Sequence, residues 1–171
     1  MIVLETVRLL LRHFTLDDAA FILRLLNEPS FIQNVGDKGV RTLDQASNYL
    51  LEGPIKSYQI HGHGLYLVAL KESLQPIGIC GLLKRDQFEE VDLGYAFLPE
   101  FWSNGFAFES ASAVLKLGMN ALGRAKMLAI VSPGNAASIR VLEKLGFAFS
   151  RYVQMQPEAS EVALFEWEQN K

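Results

Sequence analysis

Residues 91–147 alternate twice between a strand-like run and a helix-like run, and this pattern constrains the fold more than any other stretch of the chain. The first run, VDLGYAF, alternates imperfectly in hydropathy and carries Gly94 in its interior. From Ala107 onward, small and apolar side chains recur with the period of an amphipathic helix, and Gly123 follows as a left-handed stop. The stretch therefore predicts the order strand, loop, helix, strand, loop, helix.

The loop before the first of these helices is a candidate anion site. Ser103 or Asn104 can cap the helix, and Gly105 lets a ligand approach the backbone. The first N–H groups of a helix have no partner within it, and the helix dipole makes this end positive, so a phosphate group satisfies both. A capped core helix with a glycine in its first turn, and no ligand, fits the same residues.

The strand that leads into this loop carries a second signal. An interior glycine such as Gly94 indicates a β-bulge or a close backbone approach, and Pro99 then ends the strand. A strand disrupted beside an anion site leaves unpaired backbone groups next to that site. Such a surface would suit an extended ligand that has a polar chain and a phosphate tail.

The second helix opens on Asn135, directly after a Ser-Pro-Gly turn. Asparagine is a favourable N-cap, so its presence is explained with or without a ligand. At the other end, Gly146 supplies a left-handed residue and Phe147 folds back on Leu142, which predicts a Schellman motif.

These segments together resemble the acetyl-CoA-binding core of the GNAT superfamily of N-acetyltransferases, and they look closest to its ribosomal-protein N-terminal (RimJ/RimL) branch. Residues 135–147, NAASIRVLEKLGF, match the family signature N-x-x-S-x-x-x-L-E-K-L-G-F. Residues 102–107, WSNGFA, are similar to the pyrophosphate loop R/Q-x-x-G-x-G/A, with Trp102 in place of the leading Arg or Gln. The opening residues 6–18, TVRLLLRHFTLDD, also resemble this branch, so the resemblance covers about residues 6–167.

The resemblance implies a single α/β (α+β) N-acetyltransferase domain over residues 1–171. The GNAT fold has a central mixed, mostly antiparallel sheet of six to seven strands, with a splayed parallel pair and helices on both faces. The resemblance further implies acetyl-CoA as the co-substrate, no metal, and direct transfer of the acetyl group to a primary amine. That amine would be a small amine or a protein N-terminus, such as that of a ribosomal protein.

The resemblance also assigns contacts with coenzyme A. The backbone of Phe97 and Leu98 would pair with the pantetheine arm, as would Asn135, and the amides of residues 104–107 would hold the pyrophosphate. Arg140 would reach either a phosphate of the cofactor or solvent. The implied cofactor-binding residues are Phe97, Leu98, Trp102, Ser103, Asn104, Gly105, Phe106, Ala107, Asn135 and Arg140.

Acetyl transfer to an amine needs a proton acceptor for the amine, donors that stabilise the carbonyl oxygen, and a proton donor for the leaving thiolate. By the resemblance, Ser138 donates the proton, although a serine bonded to the helix backbone fits this position as well. Glu161 is ranked ahead of Asp92 as the base, and Tyr95 is an alternative hydroxyl. Backbone N–H groups of the central strand would stabilise the oxygen.

The acceptor pocket is implied to lie beneath the first helices of the fold. A purely structural role in the core fits the aromatic candidates equally well, and analogy at the level of the fold does not choose a substrate. The candidate acceptor-binding residues are Phe31, Asn34, Val35 and Tyr49.

Helices in the first third of the chain are predicted from their caps. Thr15 caps the first, and apolar residues then repeat at helical spacing. Thr42 and Gln45 have the spacing of a capping box for the next helix, which Gly53 and Pro54 interrupt. The apolar face of the first helix consists of Phe21, Ile22, Leu25 and Leu26.

Strands are predicted from period-two alternation bounded by turn residues, and residues 31–41 are predicted to form a loop or broken helix. Helix–strand alternation in the centre, with antiparallel strands at both ends, again implies a mixed sheet with helices on both faces. Besides the second strand of the 91–147 stretch, the predicted strands are residues 7–14, Leu65–Leu70, Pro76–Leu83, 91–97, 147–153 and 161–167.

Cysteine and histidine residues do not point to a metal site. Cys80 is the single cysteine, so it cannot form an intramolecular disulfide, and we expect a buried structural thiol. His61 and His63 alternate with glycines, but no third ligand lies at a supporting spacing. The sequence therefore predicts a solvated loop at these histidines.

Charge and hydropathy limit the partners of the chain. A formal net charge of −3 argues against sequence-independent binding to nucleic acid and is compatible with cationic acceptors such as amines. The apolar run at the N-terminus is too short for a secretory signal, and no apolar run reaches membrane-spanning length. We therefore expect a cytoplasmic protein with no nucleic-acid or membrane partner, and a homodimer through a sheet edge is compatible with the sequence.

Two other classes of function stay open at this stage. A non-catalytic acyl-CoA binder or sensor would keep the cofactor cleft, and the substitution at Trp102 together with an unidentified base leaves room for it. A Rossmann-type nucleotide-binding module is argued against, because the chain lacks G-x-G-x-x-G after a first strand and an acidic residue at the expected distance.

Overall fold

The computed structural model describes residues 1–170 and contains one eight-stranded sheet. Its strands are β1 (Ile2–Glu5), β2 (Leu9–Arg12), β3 (Leu65–Leu70), β4 (Pro76–Leu83), β5 (Asp92–Phe97), β6 (Lys126–Val131), β7 (Ala148–Val153) and β8 (Val162–Glu168). They lie in the order β1-β2-β3-β4-β5-β6-β8-β7, and every neighbouring pair is antiparallel except β5 and β6. The predicted mixed, mostly antiparallel sheet with a parallel pair is confirmed, but it has eight strands rather than six or seven.

The additional strand comes from the first residues of the chain. β1 pairs with β2, and in the turn between them the N–H of Thr6 donates to the carbonyl oxygen of Leu9 at 2.9 Å. The strand predicted over residues 7–14 is therefore shorter than expected, because its first residues belong to this turn. A four-residue apolar run carries too little alternation to predict a strand by itself.

Helices pack against both faces of the sheet, as predicted. The helices are α1 (Ala19–Leu26), α2 (Pro29–Asn34), α3 (Leu43–Leu50), α4 (Lys56–His61), α5 (Phe106–Asn120) and α6 (Ala136–Lys144). Because successive residues of a strand point to opposite faces, Leu67 and Val68 of β3 enter two different cores. Val114 of α5 belongs to the core that contains Val68, and Ile22 of α1 belongs to the core that contains Leu67. Burial on both faces fixes the register of the central strands.

The capping box predicted at Thr42 opens α3. The Oγ1 of Thr42 accepts the N–H of Gln45 at 3.1 Å, and the Oε1 of Gln45 accepts the N–H of Thr42 at 3.2 Å, which confirms the capping box. Leu51–Ile55 forms a π-helical turn between α3 and α4, so the α-helix ends near Leu51 and resumes after Pro54, as predicted. The chain stays helical across this interruption.

The histidine segment is partly buried, which the sequence did not predict. His63 is buried, and its Nδ1 lies 2.9 Å from the carbonyl oxygen of Leu82, whereas His61 is exposed. His63 is therefore a hydrogen-bonded core residue, and the prediction of a solvated loop was wrong for it. Cys80 is buried as predicted, and burial raises the pKa of its thiol to about 12.

Gly81 provides a test of the packing between β3 and β4. A Cβ atom at this position would overlap the carbonyl oxygen of Gly64 and lie 2.7 Å from the Cα of Leu65, and neither backbone atom can move cheaply. We expect Gly81→Ala to lower the free energy of unfolding by about 3 kcal/mol, the upper range for an overpacked core. Urea unfolding followed by circular dichroism measures the change.

Gly134→Ala is the matched control, because a Cβ atom there would have no neighbour within 4 Å. Its stability should stay within about 0.5 kcal/mol of the wild type. Equal losses of stability in the two variants would contradict the packing argument.

Candidate active site

The parallel strands β5 and β6 are joined by a single sheet pair, between Asp92 and Leu128. Next to this pair, the N–H of Leu128 donates to the carbonyl oxygen of Val91 at 2.9 Å. The backbone polar groups of a strand alternate between its two neighbours, so those of Tyr95 and Phe97 also face β6. Beyond Asp92 the two strands make no further sheet pair within residues 1–170, which leaves a gap lined by backbone groups.

The opposite edge of β5 is regular. Its ladder with β4 runs without a register shift from Asp92, opposite Leu83, to Phe97, opposite Gly78. The bulge predicted at Gly94 is therefore absent from this ladder, and the disruption lies on the β6 side instead. Gly94 faces Gly81 in ordinary register.

Several groups at the end of β5 are already bonded within the protein. The indole N–H of Trp102 donates to the carbonyl oxygen of Phe97 at 2.9 Å, and the N–H of Leu98 donates to the carbonyl oxygen of Ile77 at 2.9 Å. The carbonyl oxygen of Leu98 accepts the N–H of Phe101 at 3.0 Å. Of the backbone groups of Tyr95 and Phe97, both groups of Tyr95 and the N–H of Phe97 are consequently left facing the gap. The contacts of Phe97 and Leu98 with the pantetheine arm stay a prediction.

The loop before α5 leaves the start of the helix open. Ser103 and Gly105 both have a left-handed backbone, with φ of 63° and 80°. The side-chain amide of Asn104 donates backwards to the carbonyl oxygen of Trp102 at 2.9 Å, and Gly105 takes the N-cap position. The prediction that Ser103 or Asn104 caps α5 was wrong, because no side chain within residues 1–170 accepts from its first N–H groups. Those groups remain available to an anion.

Arg8, in the turn between β1 and β2, lies beside this helix start and was not predicted from the sequence. Its Nη2 lies 3.4 Å from the position that a Cβ atom on Gly105 would occupy, and its guanidinium covers the ring of Phe106 at 4.4 Å. Glu109 holds Arg8 through Oε2, which accepts from Nε at 2.7 Å, and through Oε1, which accepts from the backbone N–H at 2.9 Å. Arg8 and Glu109 are 101 residues apart, so no local pattern could have paired them.

The structure brings together two of the predicted catalytic side chains. The hydroxyl of Tyr95 lies 2.9 Å from the Oγ of Ser138 and donates to the carbonyl oxygen of Ser138 at 3.1 Å. Asn135 fixes the same turn of α6, because its Oδ1 accepts the N–H of Ser138 at 3.3 Å. Burial raises the pKa of Tyr95 to about 12, although its bond with Ser138 acts in the opposite direction. Arg140 is exposed on the same helix.

Asp92, at the point where β5 and β6 separate, is an unusually buried carboxylate. Its side chain is 1 % exposed, and its Oδ1 accepts from the Nε of Arg85 at 3.0 Å. Its Oδ2 has no hydrogen-bond partner within residues 1–170. Burial raises the pKa of Asp92 above 3.8 even though the charge of Arg85 lowers it. Glu161, by contrast, is exposed and forms no salt bridge with residues 1–170.

The acceptor candidates divide between the core and the rim of the gap. Phe31 is buried in the core beneath α1 and α3, and Tyr49 packs against the same core. Val35 is exposed, and the carbonyl oxygen of Asn34 accepts from the Oγ of Ser132 at 2.7 Å, which ties α2 to the end of β6. Phe31 is therefore a core residue, Asn34 is tied to the residue that follows β6, and contact of any of the four with an acceptor stays a prediction.

Arg85 links the acceptor side to Asp92. Partial desolvation lowers the pKa of the exposed Lys38, and the charge of Arg85 lowers it further. Burial raises the pKa of Tyr49, and the same charge acts against that rise. The charge of Arg85 therefore acts on Lys38, Tyr49 and Asp92 alike.

No group of three or more His, Cys, Asp or Glu side chains within residues 1–170 could hold a metal ion. Over the same residues, no helix is long and apolar enough to cross a membrane.

Comparison with known proteins identifies the family. The sequence model for the acetyltransferase (GNAT) domain matches residues 8–148. The chain belongs to the GNAT acetyltransferase family. The uncharacterized N-acetyltransferase YoaA of Bacillus subtilis (strain 168) is 33% identical over 147 residues, which cover 85% of this chain and 82% of that protein.

Solved structures share the fold of this acetyltransferase. An acetyltransferase from Agrobacterium tumefaciens str. C58 superposes with a TM-score of 0.81 at 24% identity, covering 97% of this chain and 94% of the other. RimL, a ribosomal L7/L12 alpha-N-protein acetyltransferase in complex with coenzyme A, superposes with a TM-score of 0.84 at 16% identity, covering 99% and 98%. The family resemblance is thereby confirmed, and the acetyltransferase is an acyltransferase of the family that uses acetyl-CoA. A doubly wound Rossmann sheet is excluded, because β5 and β6 are the only parallel neighbours among the strands of residues 1–170.

The burial of Asp92 predicts how the stability of the acetyltransferase depends on pH. Because the folded-state pKa of this carboxyl lies above 3.8, the folded protein holds the proton more tightly than the unfolded chain does. The stability from this group is complete below 3.8 and is lost as the pH rises through the folded-state pKa. Each pKa unit of upward shift corresponds to about 1.4 kcal/mol.

We expect Asp92→Asn, which carries no charge, to unfold at higher urea concentration than the wild type at neutral pH. Its advantage should shrink as the pH falls towards 3.8. Urea unfolding of both proteins at a series of pH values measures this difference. A variant that is less stable than the wild type at neutral pH would show that the pair with Arg85 outweighs the cost of burial.

Proposed function

We propose that this acetyltransferase transfers the acetyl group of acetyl-CoA directly to a primary amine in the cytoplasm, either a protein N-terminus or a small amine. The observation that carries the proposal is the uncapped, glycine-led start of α5 beside the open backbone edge of β5. Phosphate groups fit the start of α5, and an extended polar chain fits the open edge of β5 by strand-like pairing. RimL, which shares this fold, was solved in complex with coenzyme A, and this supports coenzyme A as the ligand.

Arg8 supplies the positive charge that Trp102 cannot. The amides of residues 104–107 would bind the diphosphate, and the guanidinium of Arg8 stands beside Gly105 at that point. Arg8 uses its Nε and Nη2 to hold Glu109, and its Nη1 makes no hydrogen bond with residues 1–170. A charge-assisted bond to a phosphate oxygen would then replace the contact of the family's leading Arg or Gln.

The proton of the acceptor amine goes to Asp92 in this proposal. A general base works best when its pKa is close to the working pH, and burial moves Asp92 in that direction. Its Oδ2 is also free to accept a hydrogen bond, directly or through one water molecule. Asp92 therefore replaces the exposed Glu161 as the preferred base.

The remaining roles fall to β5 and α6. As the amine nitrogen bonds to the acyl carbon and the carbon–sulfur bond breaks, negative charge develops first on the carbonyl oxygen and then on the sulfur. The N–H groups of Tyr95 and Phe97 face the gap and would stabilise the oxygen. The Oγ of Ser138 would protonate the thiolate, and the hydroxyl of Tyr95, 2.9 Å away, would return a proton to Ser138.

Acceptor-dependent release of coenzyme A thiol tests the proposal. Acetyl-CoA is offered with peptides that begin with Ala or Ser, polyamines, aminoglycosides and free amino acids. We expect Asp92→Asn to lower kcat/KM by about 100-fold to 10,000-fold and to remove the acidic limb of its pH profile, and Ser138→Ala to lower it by about 100-fold.

Ser150→Ala, on the exposed edge strand β7, is the matched control and should behave as the wild type. Binding of acetyl-CoA without thiol release for any amine would refute catalysis and favour a non-catalytic acyl-CoA sensor.

Arg8→Gln tests the diphosphate site separately. We expect it to raise the Kd of coenzyme A by about tenfold, the loss of one charge-assisted hydrogen bond, and to leave the Kd of acetyl-pantetheine, which lacks the diphosphate, unchanged. Isothermal titration calorimetry measures both constants.

Glu109→Gln is the control for this site, because it loosens the clamp but keeps the cation of Arg8. It should lower the thermal midpoint without a tenfold loss of coenzyme A binding. If Arg8→Gln weakened both ligands equally, Arg8 would have only a structural role.

A further inference from the structure

Arg85 and Asp92 form only half of the ion pair that their side chains allow. An arginine commonly meets a carboxylate with two parallel N–H···O bonds. Here the Nε of Arg85 reaches Oδ1 at 3.0 Å, while Oδ2 has no partner within residues 1–170. The terminal nitrogens of Arg85 also make no hydrogen bond with these residues. Oδ2 of Asp92 and the terminal nitrogens of Arg85 therefore lack hydrogen-bond partners within residues 1–170 at the same place.

The two unfilled groups differ in their access to solvent. The side chain of Asp92 is 1 % exposed and that of Arg85 is 34 % exposed. Arg85 is therefore the more accessible member of the pair, and a molecule that approaches from solvent would meet it before the carboxylate of Asp92.

Charged residues of both signs lie in the loop that carries Arg85. Lys38 lies close enough for the charge of Arg85 to act on it, and the charge of Lys84 acts on Asp92. The Nζ of Lys84 donates to the carbonyl oxygens of Arg85 and Phe88, which holds this charge in the same loop. The acidic residues of the loop, Asp86, Glu89 and Glu90, form no salt bridge with any of these cations within residues 1–170. The loop that leads into Asp92 thus carries three acidic residues beside Lys84 and Arg85, so an anionic group would be held by the unpartnered terminal nitrogens of Arg85 rather than by an excess of positive charge.

We infer that the acceptor carries an anionic group beside its amine, and that Arg85 binds this group. The inference rests on the proposed function and names the class of its substrate. A carboxylate would take the terminal N–H groups of Arg85, while the amine faces Asp92. A polyamine would instead bring a second ammonium group against Arg85 and Lys38, which like-charge repulsion disfavours. The anionic group is either the carboxylate of a free amino acid or an acidic side chain of a peptide.

Matched pairs of acceptors test the inference. Each pair differs only in the anionic group: a free amino acid with its amide, and a dipeptide amide with an acidic second residue with its neutral counterpart. Spermidine is the polyamine. We expect kcat/KM to favour the anionic member of at least one pair by about tenfold to 100-fold, the range for a charge-assisted hydrogen bond. The pair that shows the preference identifies the source of the anionic group.

In Arg85→Gln, the ratio of kcat/KM for the anionic member to that for its neutral counterpart should fall to about one. The ratio of kcat/KM within one variant is the readout, because any effect of the substitution on Asp92 changes both members of a pair alike. Lys38→Gln, at an exposed position where folding is not at risk, should reduce the preference by a smaller factor. Arg151→Gln, an exposed arginine on the edge strand β7, should keep the full preference.

Each outcome of this experiment is decisive. A wild type that shows no preference within either pair, or that prefers amides or spermidine, overturns the inference and leaves the proposed function intact. A preference that survives in Arg85→Gln does the same. Absence of transfer to every amine, with coenzyme A bound, overturns the proposed function and the inference together.

Discussion

The parallel pairing of β5 with β6 stops after Asp92 and Leu128, and the rest of the site depends on that stop. If the ladder continued, the backbone groups of Tyr95 and Phe97 would form hydrogen bonds with β6 and could not bind a ligand. Backbone groups without partners cost free energy when they are buried, so a fold keeps them only where water or a ligand can satisfy them. The regular ladder on the β4 side holds β5 rigid while its other edge stays open.

The two ends of this opening differ in charge and therefore in what they can bind. At the far end stand the free amides at the start of α5 and the guanidinium of Arg8, both suited to phosphate. At the near end, Asp92 is buried beneath Arg85. The strand between them spans roughly 17 Å at about 3.3 Å per residue, a length that an extended chain must bridge. The geometry separates an anion-binding end from a proton-accepting end along one strand.

Features set by neighbouring residues could be predicted from the sequence, and features set by distant residues could not. The capping box of Thr42 and the Schellman turn at Gly146, where the N–H of Phe147 donates to Leu142 at 3.0 Å, depend on a few adjacent positions. The clamp between Arg8 and Glu109 and the burial of Asp92 depend on how the sheet assembles. Of the site, the sequence could thus predict the loop and the helix start, but not which charges gather around them.

The register of β5 connects these observations. Gly78 stands opposite Phe97, and a Cβ atom on Gly78 would lie 2.8 Å from the Cγ of that ring, so the ring requires a glycine at this place. With Phe97 fixed, the backbone of Tyr95 faces the gap while its hydroxyl reaches Ser138 on α6. A shift of one residue would turn every side chain of the strand to the opposite face. Packing between two central strands, rather than the loops around them, therefore determines which groups meet in the gap.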